Sequence, residues 1–303
     1  MEILGKTNID FIGKRNISFV ISSVIAIIGI IGIIQIGRGA ANMGIDFSGG
    51  TAMQLKFSKP FSIADARAAL HKHGIAKADL QEIKDGNMLL IKMAGAAVGK
   101  PSEMVQESFR KEFADNSFSV ESSTEIGPSI GDKLRKDTLI AVALSLLGII
   151  LYIAWRFDLK FGIGATIATL HDVLAMIAVF YLLNKEINLL FITAVLTIAG
   201  YSLTDTVVIF DRIRENLHKN LKGAMHNIFN NSINEVLSRT IITSLTTFLA
   251  ALSLFIFGGE VIHDFSLALL IGIGVATYSS VFVASPIVVL LENRALSKQD
   301  VKS

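Results

Sequence analysis

Cysteine is absent from this 303-residue chain. A disulfide framework and a cysteine-ligated metal site are therefore excluded. Charge is scarce as well: Asp, Glu, Lys and Arg make up 18% of residues, against roughly a quarter in a soluble domain. The shortfall is uneven, because long uncharged runs alternate with charged segments. Apolar residues reach 51% and the mean hydropathy is +0.57. No Gly-x-x-x-x-Gly-Lys-Ser/Thr run exists, so ATP hydrolysis by this chain is not expected. A net charge of +2 gives no reason to expect nucleic acid. Nothing calls for a metal or an organic cofactor, and no covalent catalytic step is expected.

The uncharged runs decide the class. A bilayer core of about 30 Å needs about 20 apolar residues in a helix. Six segments qualify: 17–36, 138–155, 161–183, 187–210, 240–257 and 265–291. The first follows Lys14 and Arg15, as a signal peptide would. Its apolar run is about twice the usual length for one, and no A-x-A cleavage site follows. It reads as an uncleaved anchor. The expected fold class is an α-helical polytopic membrane protein with six spans. Residues 37–137 form a soluble insert, 211–239 an amphipathic loop, and 292–303 a tail.

Short loops carry the orientation signal. With residues 1–16 in the cytoplasm, Lys6, Lys14, Arg15, Arg156, Lys160, Arg212, Arg214, Lys219, Lys222, Arg239, Arg294, Lys298 and Lys302 fall on the cytoplasmic side. Lys185 alone falls in a short outer loop. Both termini are thus expected inside and residues 37–137 outside. That insert reads as β-α-β-β-α-β, the ferredoxin-like order. Strands are expected at 51–58, 79–84, 87–93 and 118–125, with helices at 63–73 and 101–116. Asp85-Gly86 marks a hairpin turn. Such a fold supports many functions and specifies no chemistry.

Ionisable residues inside a membrane are costly and usually functional. His171, Asp172 and Asp205 lie within spans, and Arg239 lies at the edge of one. Thr193, Thr197, Tyr201 and Asp205 follow i, i+4 spacing, which puts them on one helix face. A carboxyl there can bind and release a proton. Alternatively it is a structural acceptor for neighbouring hydroxyls. Ser232-Ile-Asn-Glu235 matches a capping box, so the fifth span is expected to start near 232. Arg239 then lies two turns inside, with Thr243 and Thr246 on its face. It can pair with Asp205 or snorkel to the interface. His171 can relay protons or serve as a structural hydrogen-bonding group. Adjacent residues diverge by about 100° on a helix, so His171 and Asp172 are not expected to share a narrow seam. An aspartyl-protease dyad is disfavoured, because Gly-Tyr-Ser-Leu-Thr-Asp205 lacks the Gly-x-Gly-Asp turn. The run 211–235 places Leu217, Leu221, Met225, Ile228 and Phe229 at amphipathic spacing, expected to lie along the cytoplasmic face. Gly29, Gly32, Gly162, Gly164, Gly272 and Gly274 permit close helix contact, and Pro286 is expected to kink the last span.

Three motifs carry a resemblance. Gly44-Ile-Asp-Phe-Ser-Gly-Gly50 resembles the motif that follows the first span in SecD and SecF proteins. Gly200-Tyr-Ser-Leu-Thr-Asp-Thr-Val-Val-Ile-Phe-Asp-Arg-Ile-Arg-Glu-Asn216 is similar to the fourth-span signature of the SecF family. Leu237-Ser-Arg-Thr-Ile-Ile-Thr-Ser-Leu-Thr-Thr247 is similar to the start of its fifth span. The resemblance runs from about residue 6 to 293. Thr204 departs from it, since the family usually has Asn there. The resemblance implies half of an RND-type core in a bacterial inner membrane, paired with a SecD-like chain. It implies work with the SecYEG channel and YajC on preproteins, driven by the proton motive force. The family's proton-pathway Asp falls on Asp205 and its fifth-span Arg on Arg239. For Gly44, Asp46, Phe47, Gly49 and Gly50 it implies a link between the first span and the outer domain, which the glycines suggest is a hinge or tight turn. Two further readings are half of an RND-type exporter of a small molecule or lipid, and a membrane-protein assembly scaffold. A scaffold needs no titrating group on a polar stripe.

Overall fold

A computed structural model describes residues 7–75, 78–83, 87–95, 101–219 and 224–300. Among the described residues, six helices are long and apolar enough to cross a membrane, as the hydropathy predicts. The chain divides into two compact units.

One unit comprises residues 43–141 and 187–189. Its strands are β1 (Gly50–Phe57), β2 (Asp79–Ile83), β3 (Met88–Ala94) and β4 (Phe118–Ile126). They form an antiparallel sheet of order β2-β3-β1-β4, the order of the ferredoxin-like motif. Alternation along β1 and β3 turns Met53, Leu55, Phe57, Leu89, Ile91 and Met93 to one face. Helices α3 (Ile63–Lys72) and α4 (Pro101–Glu112) cover it with Ala66, Ala69, Leu70, Val105 and Phe109. Ser62 caps α3 by accepting from the Ala64 amide at 3.1 Å, and Gly74 ends it at φ +82°. On the edge strand β4 the run Ser-Val-Glu-Ser-Ser-Thr-Glu is exposed on both faces, so the alternation expected there is not realised. Asp85-Gly86 lies outside the described residues.

The linking motif belongs to this unit. Residues Ile45–Ser48 form one short helical turn, α2. Gly49 follows at φ +69° and Gly50 opens β1 at φ +141°. A Cβ on Gly50 would overlap the Met93 carbonyl oxygen on β3. The glycine pair therefore serves a tight turn and a close strand approach. Phe47 is buried, and Asp46 Oδ2 accepts from the Leu189 amide at 2.9 Å. Gly44 donates its amide to the Ile187 carbonyl at 2.9 Å.

The second unit comprises residues 1–42, 142–186 and 190–303. Helices here are α1 (Arg15–Gly37), the body of α5 (Pro128–Arg156), α6 (Leu159–Leu182), α7 (Leu189–Lys219), α8 (Met225–Phe257), α9 (Glu260–Ser279) and α10 (Ser285–Asp300). The most apolar stretches of α6, α7 and the last span are 50–56% buried, against 22%, 6% and 17% for α1, α5 and α8. The first group is therefore the centre, and the second is largely open to lipid or a partner. α1 reaches α6 through Gly29, whose missing side chain admits the Leu174 backbone. Gly274 faces open space and does not share the packing role expected of it.

Several helix boundaries differ from expectation. Residues 211–219 and 225–239 continue α7 and α8 and form no separate helix. Their apolar side chains explain why. Phe229, Ile233 and Leu237 are buried in one cluster with Ile209, Phe210 and Ile213, and Leu217 packs on it. Arg212 Nε donates to Glu235 Oε2 at 2.5 Å, and Asn216 Nδ2 donates to Ser232 Oγ at 2.9 Å. Ser232 and Glu235 are thus spent on α7 and do not form a capping box. Finally, the last span is interrupted by a π-helical turn at Ser280–Ala284, before Pro286. Proline lacks an amide and crowds the carbonyl four residues back, and a wider turn relieves both.

Candidate functional site

The polar stripe on α7 is graded. Thr193 and Thr197 are exposed, Tyr201 is half-buried, and Asp205 is only 6% exposed. Thr197 Oγ1 donates to the Thr193 carbonyl at 2.8 Å, which satisfies the hydroxyl within the helix. Thr204 does the same to the Tyr201 carbonyl. Asp205 Oδ2 accepts from Ser244 Oγ of α8 at 3.2 Å. Thr277 Oγ1 of α9 lies 2.8 Å from Ser244, and Tyr201 Oη lies 3.4 Å from it. Serine has one proton to give. If it goes to the carboxylate, Thr277 and Tyr201 must donate to Ser244. Three helices thus meet at a single hydroxyl beside a buried carboxyl.

No Asp205–Arg239 ion pair is formed. Arg239 is exposed, as is Thr243, whose Oγ1 donates back to the Arg239 carbonyl at 2.8 Å. Consecutive helical residues diverge by about 100°. Thr243 therefore lies outside while Ser244 reaches Asp205.

His171 and Asp172 come together, contrary to the divergence expected of neighbours. His171 Nδ1 is 3.2 Å from Asp172 Oδ1, with the two residues 6% and 0% exposed. Asp172 Oδ2 accepts from Ser202 of α7 at 2.6 Å and from Ser279 of α9 at 2.9 Å. Side-chain length lets the carboxyl and the ring bend toward each other, so backbone angle alone misjudges the pair. The i, i+4 spacing also overlooks Ser244, Ser202, Thr277 and Ser279. A readable signal was there: Thr277-Tyr-Ser-Ser280 is a polar cluster inside an apolar run. Among the described residues no group of His, Asp and Glu could hold a metal ion.

Comparison with known proteins gives this geometry a lineage. The family profile "Protein export membrane protein SecD/SecF, C-terminal" matches residues 105–294, and the profile "SecD/SecF GG Motif" matches 41–61. The protein translocase subunit SecF of Thermodesulfovibrio yellowstonii is 53% identical over 99% of this chain and 100% of its own length. The chain belongs to the SecF family. The SecF subunit of Calditerrivibrio nitroreducens is 42% identical over 96% of each chain. Among solved structures, the translocon-associated SecDF of Thermus thermophilus matches with TM-score 0.83 and 35% identity over 95% of this chain. A SecDF in its super-membrane-facing form matches with TM-score 0.72 and 33% identity over 99% of this chain. This chain spans only 39% and 41% of those two chains. It is thus a multi-pass membrane protein of a transport family, and its relatives are named as translocase subunits.

Proposed function

We propose that this chain couples proton movement through Asp205 to the outward transport of preproteins. It does so as one half of a complex with a SecD-like chain, working at the SecYEG channel, with YajC as a further partner. The observation that carries the reading is a buried carboxyl on a membrane-length helix, at the inner end of a polar stripe whose outer end is exposed. Thr193, Thr197, Thr243 and Arg239 would face hydrocarbon if the chain stood alone. Polar groups avoid lipid and face protein or water. A second membrane chain laid against α7 and α8 would enclose them and leave a polar path to Asp205. The six spans match somewhat over a third of the SecDF chains, and a SecD-like chain would supply the remainder.

The energetics suit such a device. One elementary charge crossing 100 mV is worth about 2.3 kcal/mol. Proton binding at Asp205 removes a charge from the junction of α7, α8 and α9 and releases Ser244 from its anion. Arg239 sets the local potential, while Tyr201, Thr197 and Thr243 line the approach. If the two charge states hold preprotein differently, the gradient becomes directional transport. With both termini inside, the sheet domain lies outside, where preprotein emerges.

The test is translocation into vesicles, with ATP present and with or without a proton gradient. Asp205→Asn keeps shape and an acceptor oxygen but does not titrate. It is expected to insert and assemble normally and to lose the gradient-dependent part of secretion. Arg239→Met is expected to impair the same part, with Arg239→Lys intermediate. Wild-type response to the gradient in Asp205→Asn vesicles would show that Asp205 is structural and would sink the mechanism.

A further inference from the structure

The sheet-domain unit includes a short stretch from far along the sequence, residues 187–189. Leu189 is also the first residue of α7, the helix that carries Asp205. The Gly-Gly motif holds this stretch in three ways. Met43 forms a parallel bridge with Ile187. The Gly44 amide donates to the Ile187 carbonyl at 2.9 Å, and Asp46 Oδ2 accepts from the Leu189 amide at 2.9 Å. Ile187 and Phe47 are buried beside these bonds. The first amides of a helix have no partner within it. Asp46 therefore caps α7 from outside, and its negative charge suits the positive end of the helix dipole. On its other side the motif runs directly into the sheet. The Gly95 amide donates to the Gly49 carbonyl at 3.0 Å. Gly50 then opens β1, which has β3 on one side and β4 on the other. The covalent connections are looser or less central. Residues 38–42, which follow α1, form no helix or strand. α5 follows β4 closely, yet only 6% of its apolar stretch is buried within the chain.

We propose that Asp46 is a positioning residue that couples α7 to the sheet domain, so that a movement of α7 is delivered to β1. Leu189 and Asp205 stand on one continuous helix. Their separation in sequence corresponds to about 24 Å at 1.5 Å per residue. Helical hydrogen bonds run through this stretch, so a shift of α7 along or about its axis reaches Leu189. There the Asp46 carboxylate and the Gly44 amide pass it to the single turn of α2, and Gly49 and Gly50 pass it to the strand. A charge-assisted bond suits that task, because it is roughly twice as strong as a neutral one. Asp46 acts through α7 and has no direct part at Asp205. The purpose of the coupling rests on the proton-driven reading given above; the coupling itself does not.

Two measurements test it. The first is hydrogen exchange of the full chain in lipid vesicles, resolved to single amides. Asp46→Ala should speed exchange at Leu189 by at least about tenfold, the scale of a hydrogen bond to a charged group. It should also speed exchange at Gly44, which Asp46 does not touch. A residue that merely caps α7 would leave Gly44 unchanged, and that result overturns the coupling. Asp46→Asn keeps an acceptor oxygen and should be intermediate at both amides. The second measurement is gradient-driven translocation into vesicles, where Asp46→Ala should lose most of the gradient-dependent part. A covalent staple should restore it. Bridge partners lie about 4.8 Å apart, within the roughly 4.4–6.8 Å that a disulfide spans. The chain has no cysteine to compete. Met43→Cys with Ile187→Cys, added to Asp46→Ala, should therefore recover the gradient response when oxidised and lose it when reduced. Failure of the two cysteines to join would contradict the bridge on which the proposal stands. A joined pair without recovery would show that the carboxylate serves something other than coupling. A full gradient response in Asp46→Ala, with the response lost in Asp205→Asn, would remove the coupling and leave the proton mechanism standing. A full response in Asp205→Asn, with both amides accelerated in Asp46→Ala, would do the opposite.

Discussion

Gly50 begins β1 with β3 on one side and β4 on the other, opposite Ala94 and Ile126. Its φ of +141° and the Met93 carbonyl beside it both resist a side chain. Gly50→Ala is expected to destabilise the sheet domain by about 1–3 kcal/mol. Limited proteolysis of the full chain, read as the rate of cleavage within residues 51–126, checks it; an unchanged rate would mean the backbone relaxes freely. A charge effect in the same domain works through Glu112. Lys72 at 2.8 Å, and then His73 at 3.4 Å, hold this carboxyl below its ordinary value. A lowered carboxylate gives stability that is fully present above its unfolded value, about 4.3, and is lost as pH falls through the folded one. Glu112→Gln should therefore reduce stability at neutral pH and flatten the acid limb of the melting curve. If the variant keeps the wild-type acid limb, the interaction is not its source. The need for glycine in the Gly-Gly motif could be read from residue type. Asp46 is different: its partner is the amide of Leu189, across 143 positions of sequence, and no local pattern marks it.

At the level of elements, the helices beyond the bilayer are where sequence reading and structure part. Spacing alone made residues 211–235 an amphipathic surface segment. The apolar face it identified is real, but it packs against the partner helix of its own hairpin and the buried Ile12. Periodicity tells which face is apolar and says nothing of what covers it. The strands and helices of the sheet domain were legible because turn residues and alternation agree there; β4 was only half legible, since an edge strand needs no buried face. One contact had no signal at all. Asn230 Oδ1 accepts from the buried amides of Phe11 and Ile12, both at 3.0 Å, and Asn234 exchanges two hydrogen bonds with the backbone of Ile9. Two side chains on α8 thereby hold the N-terminal segment as a neighbouring strand would. Asn230→Ala leaves two buried donors unpaired, at about 1–3 kcal/mol each. Hydrogen exchange at Phe11 and Ile12 is expected to accelerate by one to several orders of magnitude, while the sheet domain keeps its protection. Unchanged protection at both amides would show that water or another group replaces the asparagine.

For the whole molecule, the distribution of exposure matters most. α6, α7 and the last span bury their apolar stretches within the chain, while α1, α5 and α8 leave theirs largely open. Apolar exposure is ordinary in lipid, so α5 needs no partner. The polar exposure of Thr193, Thr197, Arg239 and Thr243 on α7 and α8 is what calls for one. Purification in mild detergent at native expression is expected to retain a SecD-like chain. Replacing Thr193 and Thr197 together by leucine should weaken that association without blocking insertion. Recovery of this chain alone from cells that make a SecD-like chain would argue against the pairing. Charge bias predicted one outlier, Lys185 in a short outer loop, and it meets Asp264 at 2.7 Å.

The asparagine clamp also sets a schedule. Ile9 leaves the ribosome 225 residues ahead of Asn234, the side chain that holds it. At about 5–20 residues per second, that interval is roughly 10 to 45 seconds. Through it the amides of Phe11 and Ile12 have no native acceptor, and the segment must wait in water or at the membrane surface. Four membrane-length helices and the whole sheet domain are made before the clamp can close. The segment at Ile9–Ile12 is thus fastened long after it is made, and its fastening marks that the start of α8 has emerged.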